Sequence, residues 1–442
     1  MKRFRVSVSL LSVVVFLVMA MSLSALAAEA PGIIEVTALA ETLEEGQKVT
    51  AVVIEYSEPI ACEAIASGSF SVAGRSITRV YVNDSGEKGD VKTRGRFVVI
   101  ELAVDPTPGN SVGNTLLYAN GRNERLPIHL SIVQRVNIQT IAGNTILPSG
   151  FTNTAERNLE VDGRFQALSY TNPETGTVLN YRLFVPEGDL DEPLPLVVFL
   201  HGAGERGDNN ISQLVANRSA LEWATPEAQA ENPCFVLAPQ CPSDTAWTAN
   251  TGTAEEPVYE TSYALKNVKA VIDQLIEQYN IDTARIYGTG LSMGSRGTYI
   301  MSLENPDLYA AQLNLCSADV YPDSQVAGIV DKPIWAIVAA DDADRPENKR
   351  HLMNQLERLG ATVCRQIHDR GWNGFLRGAE AEAQAEEQIT EAEWAGANVL
   401  YTEYIAGTVV PSAHWSWMAA YANSAVRQWL FSHVSDTPYQ PK

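Results

Sequence analysis

The spacing of hydrophobic and polar residues changes near residue 150. Before that point, short segments alternate apolar and polar residues, and turn formers such as Asn83–Gly86 and Asp105–Gly109 separate them. The alternating segments are Ile34–Thr37, Lys48–Tyr56, Ser69–Val72, Ile77–Val82 and Arg96–Leu102. Regular short strands with such breaks predict an all-β sandwich over residues 31–150.

From about Thr152 onward, apolar runs alternate with segments of helical spacing. This pattern predicts a mostly parallel sheet with helices on both faces over residues 151–442. The candidate strands are Phe165–Tyr170, Leu179–Phe184, Leu196–Leu200, Phe235–Ala238, Ile286–Tyr287, Ala311–Leu315, Ile334–Ala339 and Val399–Ile405. The clearest helix is Tyr263–Tyr279, where apolar residues recur at intervals of three and four.

The first 30 residues differ from both regions. Three cations precede the apolar run Val6–Met21, and small residues follow up to Ala27 and Ala30. This order is typical of a signal peptide, so we expect residues 1–30 to be removed and the mature chain to be secreted and extracellular. The alternative, a membrane anchor, needs about 20 apolar residues, and serines interrupt this run early. No later segment is long and apolar enough to cross a membrane.

Composition narrows the possible partners. The chain carries 53 acidic and 32 basic residues, a formal net charge of -21. A surface this acidic repels phosphate backbones, which argues against a nucleic-acid partner. The five cysteines lack metal-site spacing, and a predicted strand would hold Cys234 and Cys241 about 20 Å apart. We therefore expect buried thiols and no metal, and nothing in the composition indicates an oligomeric state.

One short run carries a catalytic signature. Gly290-Leu291-Ser292-Met293-Gly294 follows a predicted strand and precedes a helix-compatible segment. This is the G-x-S-x-G pattern between strand and helix, the setting of a nucleophile elbow. The turn is so tight that the residues two before and two after the serine have no room for a Cβ atom. Ser292 is therefore the candidate nucleophile.

A serine nucleophile needs a base, which a third group must orient. Among the histidines that follow Ser292, His414 lies in a loop between the last predicted strand and a terminal helix predicted over Met418–Phe431. A base in that loop reaches the edge of the sheet where the serine emerges. His414 is the candidate base, the alternative being a loop histidine bonded only to backbone.

The orienting acid is expected on the turn after the strand Ile334–Ala339. Three aspartates follow that strand closely, at positions 341, 342 and 344. We choose Asp342, with Asp341 and Asp344 as alternatives that could equally cap the next helix.

Two backbone N–H groups must face the negative charge that develops on the substrate oxygen. One is expected from Met293, directly after the serine, and the other from Ala203 in the Gly-rich loop 200–207. Phosphate binding is the usual alternative for such a loop, but no Lys-Ser/Thr pair is present and Glu205 lies within it. His201 is expected to support the loop.

Four stretches in this order resemble secreted serine esterases of the α/β-hydrolase superfamily. They are Val197–Asp208, Cys234–Pro242, Gly290–Gly294 and His414–Tyr421. Related enzymes are polyhydroxybutyrate depolymerase-like and feruloyl-esterase-like, and some carry an immunoglobulin-like domain ahead of the catalytic one. The resemblance implies an α/β-hydrolase fold with an eight-stranded, mostly parallel sheet, preceded by an immunoglobulin-like sandwich.

The resemblance also implies an activity. It implies cleavage of small or polymer-linked carboxylic esters through an acyl-enzyme intermediate, with no metal or cofactor. Ser292, Asp342 and His414 would form the triad, and Ala203 and Met293 would supply the N–H donors. The loop that carries the three aspartates differs from that of the related enzymes, which tend to have His-Gly there. A serine peptidase with the same triad, or a non-catalytic binding protein on the same fold, remain as alternatives.

Other expectations concern the surroundings of the site. Trp247, Trp372 and Trp415 are candidate substrate-binding residues, although tryptophans near loops also belong to cores. The segment 371–395, rich in Ala and Glu, is either a lid over the substrate or a solvated surface helix. The first domain could pack against the second, mediate oligomerisation or bind carbohydrate.

Overall fold

The computed structural model describes residues 32–105, 111–188, 190–252, 258–317 and 320–441. The predicted signal peptide, residues 1–30, lies outside the described residues. The chain forms a β domain followed by an α/β domain, and no helix in the described ranges is long and apolar enough to cross a membrane.

The first domain is built from short strands that form a sandwich. In chain order they are β1 Ile33–Leu43, β2 Gly46–Ala61, β3 Phe70–Val72, β4 Ile77–Asn83, β5 Arg94–Leu102, β6 Leu116–Ala119, β7 Arg122–Arg125, β8 Ser131–Gln134, β9 Ile138–Gln139, β10 Thr145–Ile146, β11 Ser149–Thr152 and β12 Ala155–Asn158. A five-stranded sheet has the order β12-β1-β2-β5-β4, and a three-stranded sheet has the order β11-β8-β3.

Alternation of apolar residues along these strands explains how the two sheets pack. Val52 and Ile100 from the larger sheet share one hydrophobic cluster with Phe70 and Ile132 from the smaller sheet. The five strands predicted from alternation are all present. β6 and β7 form a separate hairpin, in which Leu116 pairs with Arg125.

The first domain extends past the predicted boundary at residue 150. β11 pairs with β8, and β12 runs parallel to β1, with Thr37 opposite Ala155. The turn 159–164 leads directly into the second domain, and the Arg218 guanidinium of that domain donates to Thr42 O and Glu160 Oε1. The boundary was missed because the sequence of β12, Ala-Glu-Arg-Asn, has no alternating apolar residues.

The second domain contains a large sheet and its covering helices. The strands are β13 Phe165–Thr171, β14 Val178–Phe184, β15 Leu194–Leu200, β16 Phe235–Gln240, β17 Thr248–Asn250, β18 Tyr259–Thr261, β19 Ile281–Leu291, β20 Ala311–Leu315, β21 Ile334–Ala339, β22 Val363–Gln366 and β23 Val399–Tyr404. The helices are α1 Ser212–Val215, α2 Pro226–Glu231, α3 Tyr263–Gln278, α4 Met293–Glu304, α5 Asp323–Val326, α6 Arg345–Leu359, α7 Ala379–Ala395, α8 Ser416–Ala422 and α9 Ser424–Phe431.

Nine strands form the central sheet in the order β13-β14-β16-β15-β19-β20-β21-β23-β22. β14 is antiparallel to both of its neighbours, β13 and β16. From β16 to the far edge at β22, every neighbouring pair in this order is parallel. The sheet contains all eight predicted strands and one more, β22 at the edge. That strand was missed because it has only four residues, which is too short for a clear pattern. Two hydrophobic clusters cover the two faces of the sheet.

The predicted terminal helix is broken in two. Asn423 lies between α8 and α9 in an extended conformation, and its side chain accepts a hydrogen bond from Val426 N. An asparagine at this position caps a new helix and so interrupts the old one.

The segment 371–395 belongs to the outer helical layer. Within α7, Gln388 donates to Tyr401 O and accepts from Thr402 Oγ1, both on β23. Asn423 also donates to Ala381 O. These contacts fix α7 against the sheet edge and α9, so we assign it to the helical layer and not to a lid.

The expectation of buried thiols holds for three of the five cysteines. Cys234, Cys241 and Cys316 are buried, whereas Cys62 and Cys364 are partly exposed. Burial raises the pKa of the Cys234 thiol to about 12, so this thiol stays protonated.

Candidate active site

Ser292 lies on a sharp turn between β19 and α4. Its backbone has φ 54° and ψ -116°, a strained conformation for a residue with a side chain. A Cβ atom on Gly294 would lie 1.8 Å from Leu200 O, and one on Gly290 would lie 2.6 Å from Gly294 O. Both positions therefore require glycine, as the elbow pattern predicts.

His414 lies within hydrogen-bond distance of Ser292. The residue sits on a short 3-10 turn, Ala413–Trp415, between β23 and α8. Its Nε2 atom is 3.1 Å from Ser292 Oγ. The ring also packs edge-on against Trp417, with ring centroids 5.3 Å apart. The imidazole is thus held by packing on one side and by polar contacts at both nitrogens.

Asp342 lies on the other side of the imidazole. Its Oδ2 atom is 2.9 Å from His414 Nδ1, and its Oδ1 atom accepts a hydrogen bond from Arg345 Nη1 at 3.0 Å. The carboxylate is almost fully buried, so both oxygens need these partners. Asp341 instead accepts from Gly407 N, and Asp344 accepts from Asn348. The structure therefore brings Asp342, and neither alternative, to His414.

The two expected N–H donors each stand at the start of a helical turn. Met293 is the first residue of α4 and Ala203 the first of a 3-10 turn, Ala203–Glu205. The first N–H groups of a helix have no acceptor within it, so they remain available to a ligand. A helix N-terminus also favours negative charge.

His201 supports this loop from below. Its Nδ1 donates to Gly202 O at 2.6 Å, and its Nε2 accepts from Cys241 N at 2.9 Å. Burial lowers the pKa of His201 to about 4, so the ring is neutral and its tautomer is fixed by these two partners.

Both domains line the cleft above Ser292, which has a volume of about 460 Å³. From the first domain come Glu44, Glu45, Gly46, Gln47, Asn114, Leu116, Tyr118 and Asn123. From the second come Gly202, Ala203, Gly204, Glu205, Ala216, Asn217, Leu291, Ser292, His414, Trp415, Trp417 and Met418. A cleft of this volume fits a small organic molecule.

Comparison with known proteins agrees with this architecture. The family profile described as "Esterase Ig-like N-terminal domain" matches residues 35–147, and the profile "Esterase PHB depolymerase" matches residues 179–333. A thermostable esterase of known crystal structure is 36% identical over 90% of this chain and 99% of its own, with a TM-score of 0.76. The chain belongs to the esterases with an Ig-like N-terminal domain. It is a serine hydrolase of the carboxylesterase type.

Two further solved structures are similar to a smaller share of this esterase chain, at lower sequence identity. A ferulic acid esterase is 12% identical over 60% of the chain and 96% of its own, with a TM-score of 0.36. Poly(aspartic acid) hydrolase-1 from Sphingomonas sp. KT-1 is 16% identical over 60% and 98%, with a TM-score of 0.36. No curated protein sequence matches the chain.

Two of the three expected substrate-binding tryptophans of the esterase lie elsewhere. Trp247 is 0% exposed, and its indole N–H donates to His201 O. Trp372 is 1% exposed, donates to Gln366 and packs edge-on against Trp335. Trp247 and Trp372 are therefore core residues, and the expectation that they line the cleft is wrong. Trp415 does line the cleft.

The sequence did not indicate several residues of the site. Arg345 is three residues after Asp342, a spacing that could have suggested the ion pair between them. By contrast, Leu116, Tyr118 and Asn123 lie on the β6–β7 hairpin, which carries no catalytic motif. Their place in the cleft follows only from how the two domains pack.

Proposed function

We propose that the chain is a secreted serine esterase that hydrolyses carboxylic esters through an acyl-enzyme intermediate on Ser292. The observation that carries the proposal is the continuous hydrogen-bonded chain from Ser292 through His414 to Asp342, at the base of an open cleft. This is the arrangement that activates a serine hydroxyl.

The contacts support a role for each group in this proposal. His414 Nε2 takes the Ser292 proton as Oγ bonds to the ester carbonyl carbon, and Asp342 stabilises the imidazolium that forms. The N–H groups of Ala203 and Met293 stabilise the oxyanion. His414 then gives its proton to the departing alcohol as the C–O bond breaks. Water repeats the sequence on the acyl-enzyme, which releases the acid and restores Ser292.

The lining of the cleft supports uncharged ester substrates. Leu116, Tyr118, Trp415 and Met418 give apolar and aromatic walls. Glutamates also line the cleft, whereas none of the described residues that line it is Lys or Arg. Carboxylate or phosphate groups on a substrate would therefore meet repulsion without a compensating cation.

The proposal of secretion rests on the sequence of residues 1–30. Its test is whether full-length protein, expressed in a bacterial host, is exported and has a mature N-terminus near Ala27 to Ala30. Retention of residues 1–30 on an exported, membrane-bound protein would favour an anchor instead.

The decisive experiment for the reaction compares the wild type with Ser292→Ala. Substrates are p-nitrophenyl esters of increasing acyl length, a feruloyl ester and a peptide amide. We expect hydrolysis of the esters and a loss of about 10⁶-fold in Ser292→Ala. Ser432→Ala, at an exposed serine, is the matched control and should match the wild type.

Two results would contradict the proposal. One is retention of more than a few per cent of activity by a folded Ser292→Ala protein, which would remove Ser292 from the reaction. The other is turnover of the peptide amide at a rate similar to that of the esters, which would favour a peptidase.

A further inference from the structure

The β6–β7 hairpin of the first domain rests directly on the loop that carries Ala203. A Cβ atom on Gly204 would lie 3.3 Å from Asn123 Nδ2 and 3.4 Å from Tyr118 Cε2. Since Gly204 is the residue after Ala203, the first domain limits how far the backbone of that loop can move.

One polar contact joins the two domains at this point. Asn123 Nδ2 donates a hydrogen bond to Glu205 Oε1 at 3.3 Å. Glu205 is only 7% exposed, and its second oxygen, Oε2, has no hydrogen-bond partner among the described residues. A Cβ atom on Gly202 would lie 3.1 Å from that oxygen and 2.6 Å from Leu291 Cδ1. The carboxyl group of Glu205 therefore lies between the loop that carries Ala203 and β19, the strand that leads to Ser292.

Among the residues that the structure describes, no Lys or Arg forms an ion pair with Glu205. The nearest ring nitrogen, His201 Nδ1, is 3.9 Å from Oε2, but it donates to Gly202 O and the ring is neutral. The Arg206 guanidinium donates instead to the carbonyl oxygens of Ala203 and Thr245. Burial raises the pKa of Glu205 to about 7. The carboxyl is therefore mostly uncharged below about pH 7 and ionises above it.

The remaining titratable groups around the cleft do not change this result. Glu44 and Glu45 approach from the β1–β2 turn, Tyr118 from β6 and His414 from the opposite wall. The two glutamates can only disfavour a second negative charge. Burial thus remains the main cause of the raised pKa of Glu205.

We propose that Asn123 and Glu205 are a cross-domain pair of positioning residues, in which Asn123 holds the Glu205 carboxyl against the loop and so fixes the N–H donor of Ala203. The proposal rests on the proposed function, because it assigns the pair to the oxyanion contact of that reaction. A charged Glu205 would place negative charge beside the developing oxyanion and weaken this contact.

The test measures kcat and KM for p-nitrophenyl acetate from pH 5.5 to 9 in the full-length mature protein. The variants are Glu205→Gln, Glu205→Ala, Asn123→Ala and the double variant Asn123→Ala/Glu205→Ala. Arg122→Ala, on the same strand as Asn123 but outside the cleft lining, is the control. Thermal unfolding of each variant shows whether it is folded.

The expected signature is a pH-dependent ratio of kcat values. The ratio of Glu205→Gln to wild type should be near one at low pH and rise about ten-fold as the pH passes 7, because glutamine cannot ionise. Forming the ratio cancels any pH dependence that the two proteins share. Glu205→Ala and Asn123→Ala should lower kcat more than they raise KM. Asn123→Ala should have no further effect when Glu205 is already alanine.

The outcomes separate this inference from the proposed function. A kcat ratio that does not change with pH, or additive effects of the two alanine substitutions, would overturn the positioning pair while leaving the esterase intact. If Glu205→Ala fails to fold, the pH profile of Glu205→Gln still decides. Absence of ester hydrolysis by the wild type, or full activity of Ser292→Ala, would instead overturn the proposed function.

Discussion

The two walls of the cleft are encoded in different ways. The wall of the second domain presents Ser292, His414 and Asp342, each in a segment that follows a parallel strand, so one edge of the sheet gathers them. The opposite wall presents side chains of a hairpin and a turn from a separate domain, among them Tyr118 and Asn123. The first wall carries the proposed chemistry, and the second shapes what reaches it. Chemistry is visible in local motifs, whereas the shape of the cleft depends on how domains pack.

The strongest test of the first wall is Asp342→Asn. We expect a loss on the order of 10⁴-fold in kcat, because asparagine cannot hold His414 in the required tautomer or stabilise its charged form. Asp341→Asn and Asp344→Asn are matched controls on the same turn and should stay near the wild type. Steady-state kinetics with a p-nitrophenyl ester measure all three. A larger loss in either control would assign the role of the orienting acid to that aspartate and contradict its assignment to Asp342.

Next in size is the effect of Glu205 on stability. Its pKa is raised from 4.5 to about 7 in the folded protein, so the native state holds a proton that the unfolded state has lost. The contribution of this proton to the free energy of unfolding is therefore complete below about pH 4.5. It is lost as the pH rises through 7, which lowers the free energy of unfolding by about 3 kcal/mol in total. In Glu205→Gln this dependence should vanish. Chemical denaturation at pH 5 and pH 8 measures it, and an unchanged pH dependence would contradict the prediction.

A smaller effect is expected at Tyr118, which forms part of the second wall and is 67% exposed. Tyr118→Ala removes an aromatic surface that the acyl group of a feruloyl ester can contact, so kcat/KM for that ester should fall up to about ten-fold. The value for p-nitrophenyl acetate should change less. Leu117→Ala lies on the other face of β6, is 52% exposed and serves as the control. Equal losses for both variants would mean that the hairpin contributes stability but not selectivity.

The smallest effect should come from Trp394 on α7. This indole is 89% exposed and does not line the cleft. Trp394→Ala should change the free energy of unfolding by less than about 0.5 kcal/mol and leave kcat/KM unaltered. A clear loss of activity would revive the lid interpretation and add a third element to the cleft.

Most of the fold could be predicted from local pattern. The long apolar runs of β15, β16 and β21 and the periodicity of α3 reflect burial on one or both faces, which a sequence records directly. Short edge elements escaped detection, because β12 and β22 are held by backbone pairing and not by their own hydrophobic pattern. The break at Asn423 was missed for a related reason, since a single cap residue interrupts an otherwise continuous helical pattern.

The residues of the candidate site also fall into those that the local sequence predicts and those that it does not. The glycines around Ser292 and the loop position of His414 are requirements of geometry that only certain residues satisfy, so they could be read from the chain. The tryptophans could not be placed, because a buried indole and a cleft indole have the same sequence signature. Trp247 reaches a carbonyl beneath the loop, while Trp415 reaches the cleft. Glu205 was noticed only as an argument against phosphate, since its burial depends on a residue 82 positions earlier in the chain.

The parallel pairing of β12 with β1 bears on how the molecule unfolds. The last strand of the first sheet leads through one short turn into β13, and Arg218 ties that turn to the first domain. The connection is therefore too short and too firmly bonded for either domain to unfold alone. Unfolding of one domain would break the pairing of an edge strand, or a shared hydrogen bond, in the other. The two domains should behave as one cooperative unit. Differential scanning calorimetry should record a single endotherm, with equal calorimetric and van't Hoff enthalpies, from a chain whose length alone would suggest two transitions.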